Sequence, residues 1–357
     1  MVYSTAATQK RNDGQLIMLS YIIKRTLWMI PLLIGISLIS FFIMHLAPGD
    51  ITNNEASFNP KTSAESRQKL RELYNLDKPV IVQYGLWMRR MVTLDFGNSF
   101  ASHRKPVFWQ VKDKDGNVTN GMIQEALPIT LLINIIGLVI TLALAIPIGI
   151  IAARKNMRWQ DQSITLFNFI GFSIPGFWLS LLLMYWLGVA NDWLPISGIH
   201  SLNYDSLSTF GKMKDLMSHL FMPVIIPSVT GLASITLFVK SGMLEVLHQD
   251  YITTARAKGL SEHKVVYTHA LRNALLPLIT IVGLSIPGLI GGSVISEQIF
   301  AIPGMGKLFY GAVMARDFPV VMGILSIGSV LTLIGNLIAD IAYAWADPRV
   351  RRGVVKQ

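Results

Sequence analysis

The 357-residue chain has no cysteine, which excludes both a disulfide framework and a thiolate metal site. Charge is scarce too. Asp, Glu, Lys and Arg make up 15% of residues and hydrophobic residues 52%, whereas about a quarter of a globular chain is charged. Acids are the rarer sign, 21 against 31 basic residues, for a formal net charge of +10. In a soluble chain that surplus would point to nucleic acid. In a chain this apolar it reads as Lys and Arg gathered in loops on one side of a membrane, and nucleic acid is set aside as a partner. The histidines, His45, His103, His200, His219, His248, His263 and His269, show no metal-binding spacing such as His-Glu-x-x-His, so they read as interfacial or hydrogen-bonded groups.

Long apolar runs are abundant. Leu27 to Leu46, Ile129 to Ala153 and Leu325 to Ala346 carry almost no charge over roughly the 20 residues an α-helix needs to cross a bilayer core. The first run is too long for the core of a secretory signal and leads into Ala47-Pro48-Gly49-Asp50 without a small-x-small cleavage pattern, so it reads as a retained anchor. Six spans are expected, at about 21–46, 127–153, 163–190, 221–240, 274–296 and 320–345, giving an all-α integral membrane protein.

An even number of spans puts both termini on one side. Lys24 and Arg25 precede the first span; Arg154, Lys155 and Arg158 fill the second-to-third loop; Arg256, Lys258, Lys264 and Arg272 fill the fourth-to-fifth; Arg349, Arg351 and Arg352 end the chain. Short basic loops stay in the cytoplasm, so both termini are expected there. The organisation is then a cytoplasmic extension over 1–20, the first span over 21–46, an external segment over 47–126, a core of the remaining spans over 127–346 with a cytoplasmic loop at 241–273, and a cytoplasmic tail over 347–357. The first 18 or so residues are polar and are assigned no fold, with Met18 a candidate start.

The external segment carries acids such as Glu55, Glu65, Asp95 and Asp113 among its basic residues, and long translocated segments are largely exempt from the charge rule. Ser63 to Ser66 opens a helical run to Tyr74, with Pro79 as a stop, and Asp115-Gly116 between Val107–Val111 and Asn117–Thr119 signals a small β-hairpin. Together these suggest a cap over the external mouth.

Pro147, Pro175, Pro227 and Pro287 fall inside expected spans, where neighbouring helices and local kinks accommodate them. The near-repeat Gly171-Phe172-Ser173-Ile174-Pro175-Gly176 and Gly283-Leu284-Ser285-Ile286-Pro287-Gly288 is either coincidence or an echo between halves. Gly288 and Gly292 have the spacing of a small-xxx-small helix contact, or are simply small residues suited to lipid. Pro175, Pro287, Gly288 and Gly292 are therefore the candidate packing or pathway residues. Asp340, an ionisable residue within a span, is a functional candidate by its position, and the favoured reading is a structural polar contact near the cytoplasmic end, where a basic partner could face it.

The loop between the fourth and fifth spans is the most informative stretch. It reads Glu245-Val246-Leu247-His248-Gln249-Asp250-Tyr251-Ile252-Thr253-Thr254-Ala255-Arg256-Ala257-Lys258-Gly259-Leu260-Ser261-Glu262, then His269-Ala270-Leu271-Arg272-Asn273-Ala274-Leu275-Leu276-Pro277. Small residues alternate with basic ones before a glycine that can end a helix, as in a short rigid element with exposed Ala that docks into a partner's groove.

This loop resembles the EAA loop of ABC importer permeases, whose Glu-Ala-Ala-x-x-x-Gly pattern falls on Thr253, Thr254, Ala255 and Gly259. The first two positions depart from it, and Arg272 stands where the general family has a proline. Both departures resemble the dipeptide, oligopeptide and nickel branch, with its Ala-Arg-Ala-Lys-Gly-Leu and His-Ala-Leu-Arg-Asn-Ala-Leu-Leu-Pro phrasing. That branch is also resembled by His45-Leu46-Ala47-Pro48-Gly49-Asp50, Leu94-Asp95-Phe96-Gly97-Asn98-Ser99, Ser173-Ile174-Pro175-Gly176-Phe177-Trp178, Trp193-Leu194-Pro195-Ile196-Ser197-Gly198, Glu297-Gln298-Ile299-Phe300-Ala301-Ile302-Pro303-Gly304-Met305-Gly306 and Asp347-Pro348-Arg349-Val350-Arg351.

The resemblance implies a type I importer permease fold in the inner membrane. It implies coupling through Thr253, Thr254, Ala255, Arg256, Ala257, Lys258, Gly259 and Leu260. It also implies a second permease, two ATP-binding subunits and a periplasmic binding protein as partners, with ATP and Mg used by the partners and no cofactor on this chain. Peptides are favoured as cargo, with nickel, glutathione or another solute as alternatives.

Other readings fail on particular residues. Gly304-Met305-Gly306-Lys307 would need Gly at 301 and Ser or Thr at 308 to be a phosphate loop, and Ala301 and Leu308 stand there. Asp113 to Asn117 has calcium-loop spacing, but Val118 and Gln124 occupy its glycine and glutamate positions. A secondary transporter or channel is the competing class, and it gives the partner-docking loop no role. An intramembrane enzyme would need a nucleophile-base set, and no pairing of that kind stands out in the sequence.

Overall fold

The computed structural model describes residues 2–46, 68, 75, 77–101, 105–112 and 118–346. Helix α1 runs from Val2–Leu46. It starts well before the expected position 21, because no proline precedes Pro31 and only Gly14 weakens the helix before it. The following elements are α2 (Val80–Val92), β1 (Val111–Lys112), β2 (Val118–Thr119), α3 (Met122–Arg154), α4 (Trp159–Ser173) and α5 (Gly176–Leu183), which continues as π-helix over Met184–Val189. Then come α6 (Thr209–Leu247), α7 (Asp250–Ala257), α8 (Glu262–Lys264), a π-helical turn Val265–Ala270, α9 (Leu271–Ala274), α10 (Leu276–Gly291), α11 (Val294–Ile299), α12 (Met305–Met314) and α13 (Phe318–Ala346).

Among the described residues, five helical stretches are long and apolar enough to cross a bilayer, or six if α4 and α5 together make one span. That pair occupies the span expected over 163–190, and its two arms are bent by 90°, a sharper break than a local kink. The break falls at Pro175. Ile174 before it is extended at ψ 119°, as the clash with a following proline ring favours, and Pro175 is extended at ψ 129° before α5 starts at Gly176. The fourth expected span also begins earlier, at Thr209, where the Ser208 hydroxyl caps α6 by accepting the Gly211 N–H at 3.2 Å.

The chain divides into two units, residues 1–27, 133–289 and 334–357 forming the first and 28–132 and 290–333 the second. In the first unit, Ile150, Val239, Met243, Ile252, Val265, Val266 and Ala270 form a buried core. Lipid tails are as apolar as leucine, so helix association relies on close packing. Glycines supply it. A Cβ added at Gly149 would lie 2.7 Å from the Val239 Cβ, one at Gly242 would lie 2.9 Å from the Ala274 carbonyl oxygen, and one at Gly283 would lie 2.2 Å from the Ala339 Cβ. The Arg25 guanidinium lies 2.8 Å from the Asp340 carboxylate. The carboxylate oxygen makes no aligned hydrogen bond, so the contact is an ion pair by proximity.

The second unit has its own core of Phe96, Val107, Ile123, Met305, Val320, Val321 and Ile324. Asp317 fastens the 99–101 stretch to it, accepting the Ser99 hydroxyl and the N–H groups of Phe100 at 3.1 Å and Ala101 at 3.2 Å. Strands β1 and β2 pair antiparallel, Val111 opposite Thr119 and Lys112 opposite Val118, while Asp115 and Gly116 lie outside the described residues. Of the expected helical run 66–74 only Gln68 is described. Pro79 begins a helix where the sequence suggested a stop. At φ −53° it precedes Val80 and its carbonyl accepts the N–H groups of Val82 and Gln83, as suits a residue whose missing N–H costs nothing before a first turn.

Candidate functional site

The stretch from His248 to Leu275 folds in the first unit as a short helix and a return. Gln249, extended at ψ 147°, breaks the chain from α6, and Asp250 sits in the first turn of α7, where a negative charge suits the helix dipole. The helix ends in a Schellman motif. Gly259 takes φ +76°, its N–H reaches the Arg256 carbonyl at 2.9 Å and the Leu260 N–H reaches the Ala255 carbonyl at 3.4 Å. Only a glycine holds that left-handed position without strain. Leu260 then packs on the core.

The burial pattern divides α7 in two. Ile252 and Ala255 are buried against the core, whereas Tyr251, Thr253, Thr254, Arg256, Ala257, Lys258 and Gly259 are exposed. This corrects the expectation that the alanines of the loop face outward. Ala257 does, but Ala255 lies on the opposite side with 7% exposure, because three and four residues bring Ile252 and Ala255 onto one helical face. Nothing lies within 4 Å of a Cβ built at Gly259, so the exposed face ends in open space.

Two side-chain braces stiffen the return. Arg256 donates to Glu262 through Nε at 3.2 Å and a terminal nitrogen at 2.9 Å, a bidentate geometry that lysine cannot reproduce. The hydrogen bond from Arg256 holds the Glu262 carboxyl below its ordinary range, with lesser help from the charges of Arg256 and Arg154. The same bond raises Arg256. Asn273 on α9 donates to the Tyr251 hydroxyl at 2.8 Å, tying the start of α7 to the approach of α10.

The other candidate positions do not gather around this surface. Pro175 lies at the α4–α5 break, while Pro287 lies within α10. The two similar hexapeptides therefore fold differently, one as a break and the other as continuous helix. Gly288 meets nothing within 4 Å, and Gly292 lies beyond the end of α10 at φ +68°. They share no helix face, so the small-xxx-small reading is corrected.

Gly292 instead belongs to a buried polar knot in the second unit. Glu297 on α11, 5% exposed, accepts the Thr130 hydroxyl at 3.0 Å and the Lys307 backbone N–H at 2.9 Å. Thr130 in turn accepts the Met305 N–H at 2.8 Å. A Cβ at Gly292 would lie 2.4 Å, and one at Gly304 2.5 Å, from a Glu297 oxygen, so the Gly304-Met305-Gly306-Lys307 stretch is shaped around the chain's own carboxylate. The N-terminus of α12, a position that favours an anion, is thereby filled from within. Nearby, a cavity of about 600 Å³ is lined by Lys105, Glu125, Ile129, Lys307, Leu308 and Asp317 among others.

Sequence reasoning passed over Glu297 and the Asp161–Lys240 pair. Lys240 on α6 reaches Asp161 in the first turn of α4 at 2.5 Å. The available signal was an ionisable residue next to or within an apolar run, which is expensive unless it is paired.

Comparison with known proteins extends along nearly the whole chain. A family described as "Binding-protein-dependent transport system inner membrane component" matches residues 145–352, and "Binding-prot-dependent transport system membrane comp, N-term" matches residues 18–134. The chain is 43% identical over 333 residues to the oligopeptide transport system permease protein AppB of Bacillus subtilis (strain 168), covering 93% of this chain and 99% of AppB. It is 33% identical over 348 residues to the dipeptide transport system permease protein DppB of Alkalihalophilus pseudofirmus, covering 94% and 100%. Among solved structures, an inward-facing MetNI methionine ABC transporter matches with a TM-score of 0.48 at 16% identity, over 65% of this chain and 96% of that one.

Proposed function

The chain belongs to the family of binding-protein-dependent transport system inner membrane components, and from that membership we propose that this membrane-embedded permease imports peptides, driven by ATP hydrolysed on partner subunits. The peptide assignment is supported by relatives named for oligopeptide and dipeptide transport. Family membership implies a substrate-binding protein and an ATPase as partners. The full assembly we infer is this chain, a second permease, two ATP-binding subunits and a periplasmic binding protein. ATP and Mg belong to the ATP-binding subunits, and this chain carries no catalytic group or cofactor. Both termini and the 248–275 stretch face the cytoplasm, as the basic residues Arg154, Arg158, Arg256 and Lys258 favour.

The observation that carries this reading is the division of α7 into a packed side and an exposed side ending at Gly259. Thr253, Thr254, Ala257, Lys258 and Gly259 offer the exposed face to an ATPase subunit, while Ile252 and Ala255 anchor the helix to its own core. Closure of the ATPases pushes α7. The Arg256–Glu262 and Tyr251–Asn273 braces limit how far the loop yields, so the motion passes to α6 and α10 and the permease pair alternates between outward-open and inward-open states. Such coupling requires that α7 make different contacts with the ATPase in the two states.

The test replaces Ala257 with Trp in the reconstituted transporter. Ala257 is exposed, so the fold is retained. Peptide uptake falls at least tenfold and ATP hydrolysis loses its dependence on the loaded binding protein; normal uptake refutes the coupling surface. Ala255→Glu is a poor substitute, because it places a charge in the core. Measuring uptake of labelled dipeptide, glutathione and nickel by the same preparation decides the cargo.

A further inference from the structure

We propose that α2 lies in the outer leaflet of the bilayer, with Ile81, Val82 and Val92 against acyl chains and Arg89 at the lipid phosphates. Its position follows from its contacts with α1, within the second unit. The stretch of α1 long and apolar enough to cross the membrane is Ile22–Ile43. The Tyr84 hydroxyl shares a 2.9 Å hydrogen bond with Ser37, which lies about 9 Å short of Ile43 at 1.5 Å per residue. The Phe41 ring lies 5.4 Å from that of Tyr84 and 6.0 Å from that of Trp87. Tyr and Trp prefer this boundary depth, one end apolar and the other wet. A helix fastened there cannot stand in bulk water above the membrane.

The opposite face agrees. Ile81, Val82 and Val92 are 68%, 42% and 76% exposed, and Gly85 and Arg89 complete the outward stripe. Water would penalise that apolar face, whereas acyl chains accept it. Arg89 has no carboxylate partner among the described residues, and its long stem lets the guanidinium rise to the headgroups while the helix stays below them. A bidentate fork matches a lipid phosphate. The stretch read from sequence as part of a water-borne cap thus includes a membrane-inserted foot. The inference rests on the α1 span and on the cytoplasmic N-terminus proposed above, and is independent of the cargo.

The absence of cysteine permits a direct test. Ile81→Cys, Val82→Cys and Val92→Cys each receive one spin label, and the assembled transporter is placed in nanodiscs of phosphatidylethanolamine and phosphatidylglycerol. Collision with oxygen exceeds collision with a water-soluble nickel chelate severalfold at all three sites, and Leu202→Cys, on a fully exposed residue, shows the reverse. Dominant nickel collision at the three α2 sites overturns the proposal in favour of an aqueous cap. Low collision with both reagents overturns it in favour of a protein partner on this face. Adding Arg89→Glu raises nickel collision at Val82→Cys at least twofold, and no change refutes the phosphate contact.

Discussion

The Lys240 ammonium sits 2.5 Å from Oδ1 of Asp161, with 18% and 5% of the two side chains exposed. Asp161 also accepts the N–H of Met157 at 3.0 Å, a residue at φ +64°. One carboxylate therefore fixes both the turn before α4 and the contact of α4 with α6. Burying two charges is costly, so the informative comparison is between losing one partner and losing both.

Lys240→Met is expected to destabilise the protein by about 3–5 kcal/mol, since it leaves Asp161 buried without a cation. Asp161→Asn combined with Lys240→Met recovers a large part of that loss. Thermal unfolding of the singles and the double in one detergent checks it. A Lys240→Met protein as stable as the double would show that the ion pair does not hold the two helices.

Gly283 and Ala339 form the tightest glycine contact between helices in the first unit. Gly283→Ala puts one methyl into another and is expected to cost about 1–3 kcal/mol. Ala339→Gly on the Gly283→Ala background restores the space and most of the stability. Gly288→Ala, five residues further along the same helix and open on every side, changes stability by no more than about 0.5 kcal/mol.

The Arg256–Glu262 brace has a defined pH response. The folded state holds the Glu262 carboxyl below its ordinary value of 4.5, so its stabilisation is fully present above that value and is lost as pH falls through the lower folded value. Arg256, raised by the same hydrogen bond, stays charged throughout. Both side chains are nearly half exposed, and solvent screening keeps the effect small. Hydrogen exchange in residues 256–262, corrected for intrinsic rates, is expected to accelerate only below pH 4.5. Glu262→Gln should be fast at every pH, and equal protection in both proteins would rule the brace out.

Some of the architecture was legible because its cause is local. Apolar length located the membrane helices, Gly259 marked the end of α7, and Asp340 inside a span implied the cation that Arg25 supplies. Other features were not. The hexapeptides around Pro175 and Pro287 look alike, yet one breaks its helix and the other does not. Proline removes the same N–H in both, so the residue type alone does not set whether the helix breaks. Ala255 and Ala257 are likewise interchangeable as letters, and only the position of the core distinguishes the anchoring alanine from the exposed one.

The sequence alone determined the membrane class, the approximate spans, the stiff loop before Pro277 and, through its phrasing, the family. These follow from run length, charge placement and turn chemistry, which act over a few residues. The tertiary structure decided which glycines touch, which donors meet the carboxylates of Asp161, Asp317 and Glu297, that Glu297 fills the start of α12, and that α2 is fastened to α1 at Ser37 and Phe41. In a lipid solvent an apolar residue is at home on either side of a helix, so the pattern that separates inside from outside in a water-soluble helix is absent. Packing alone assigns the faces.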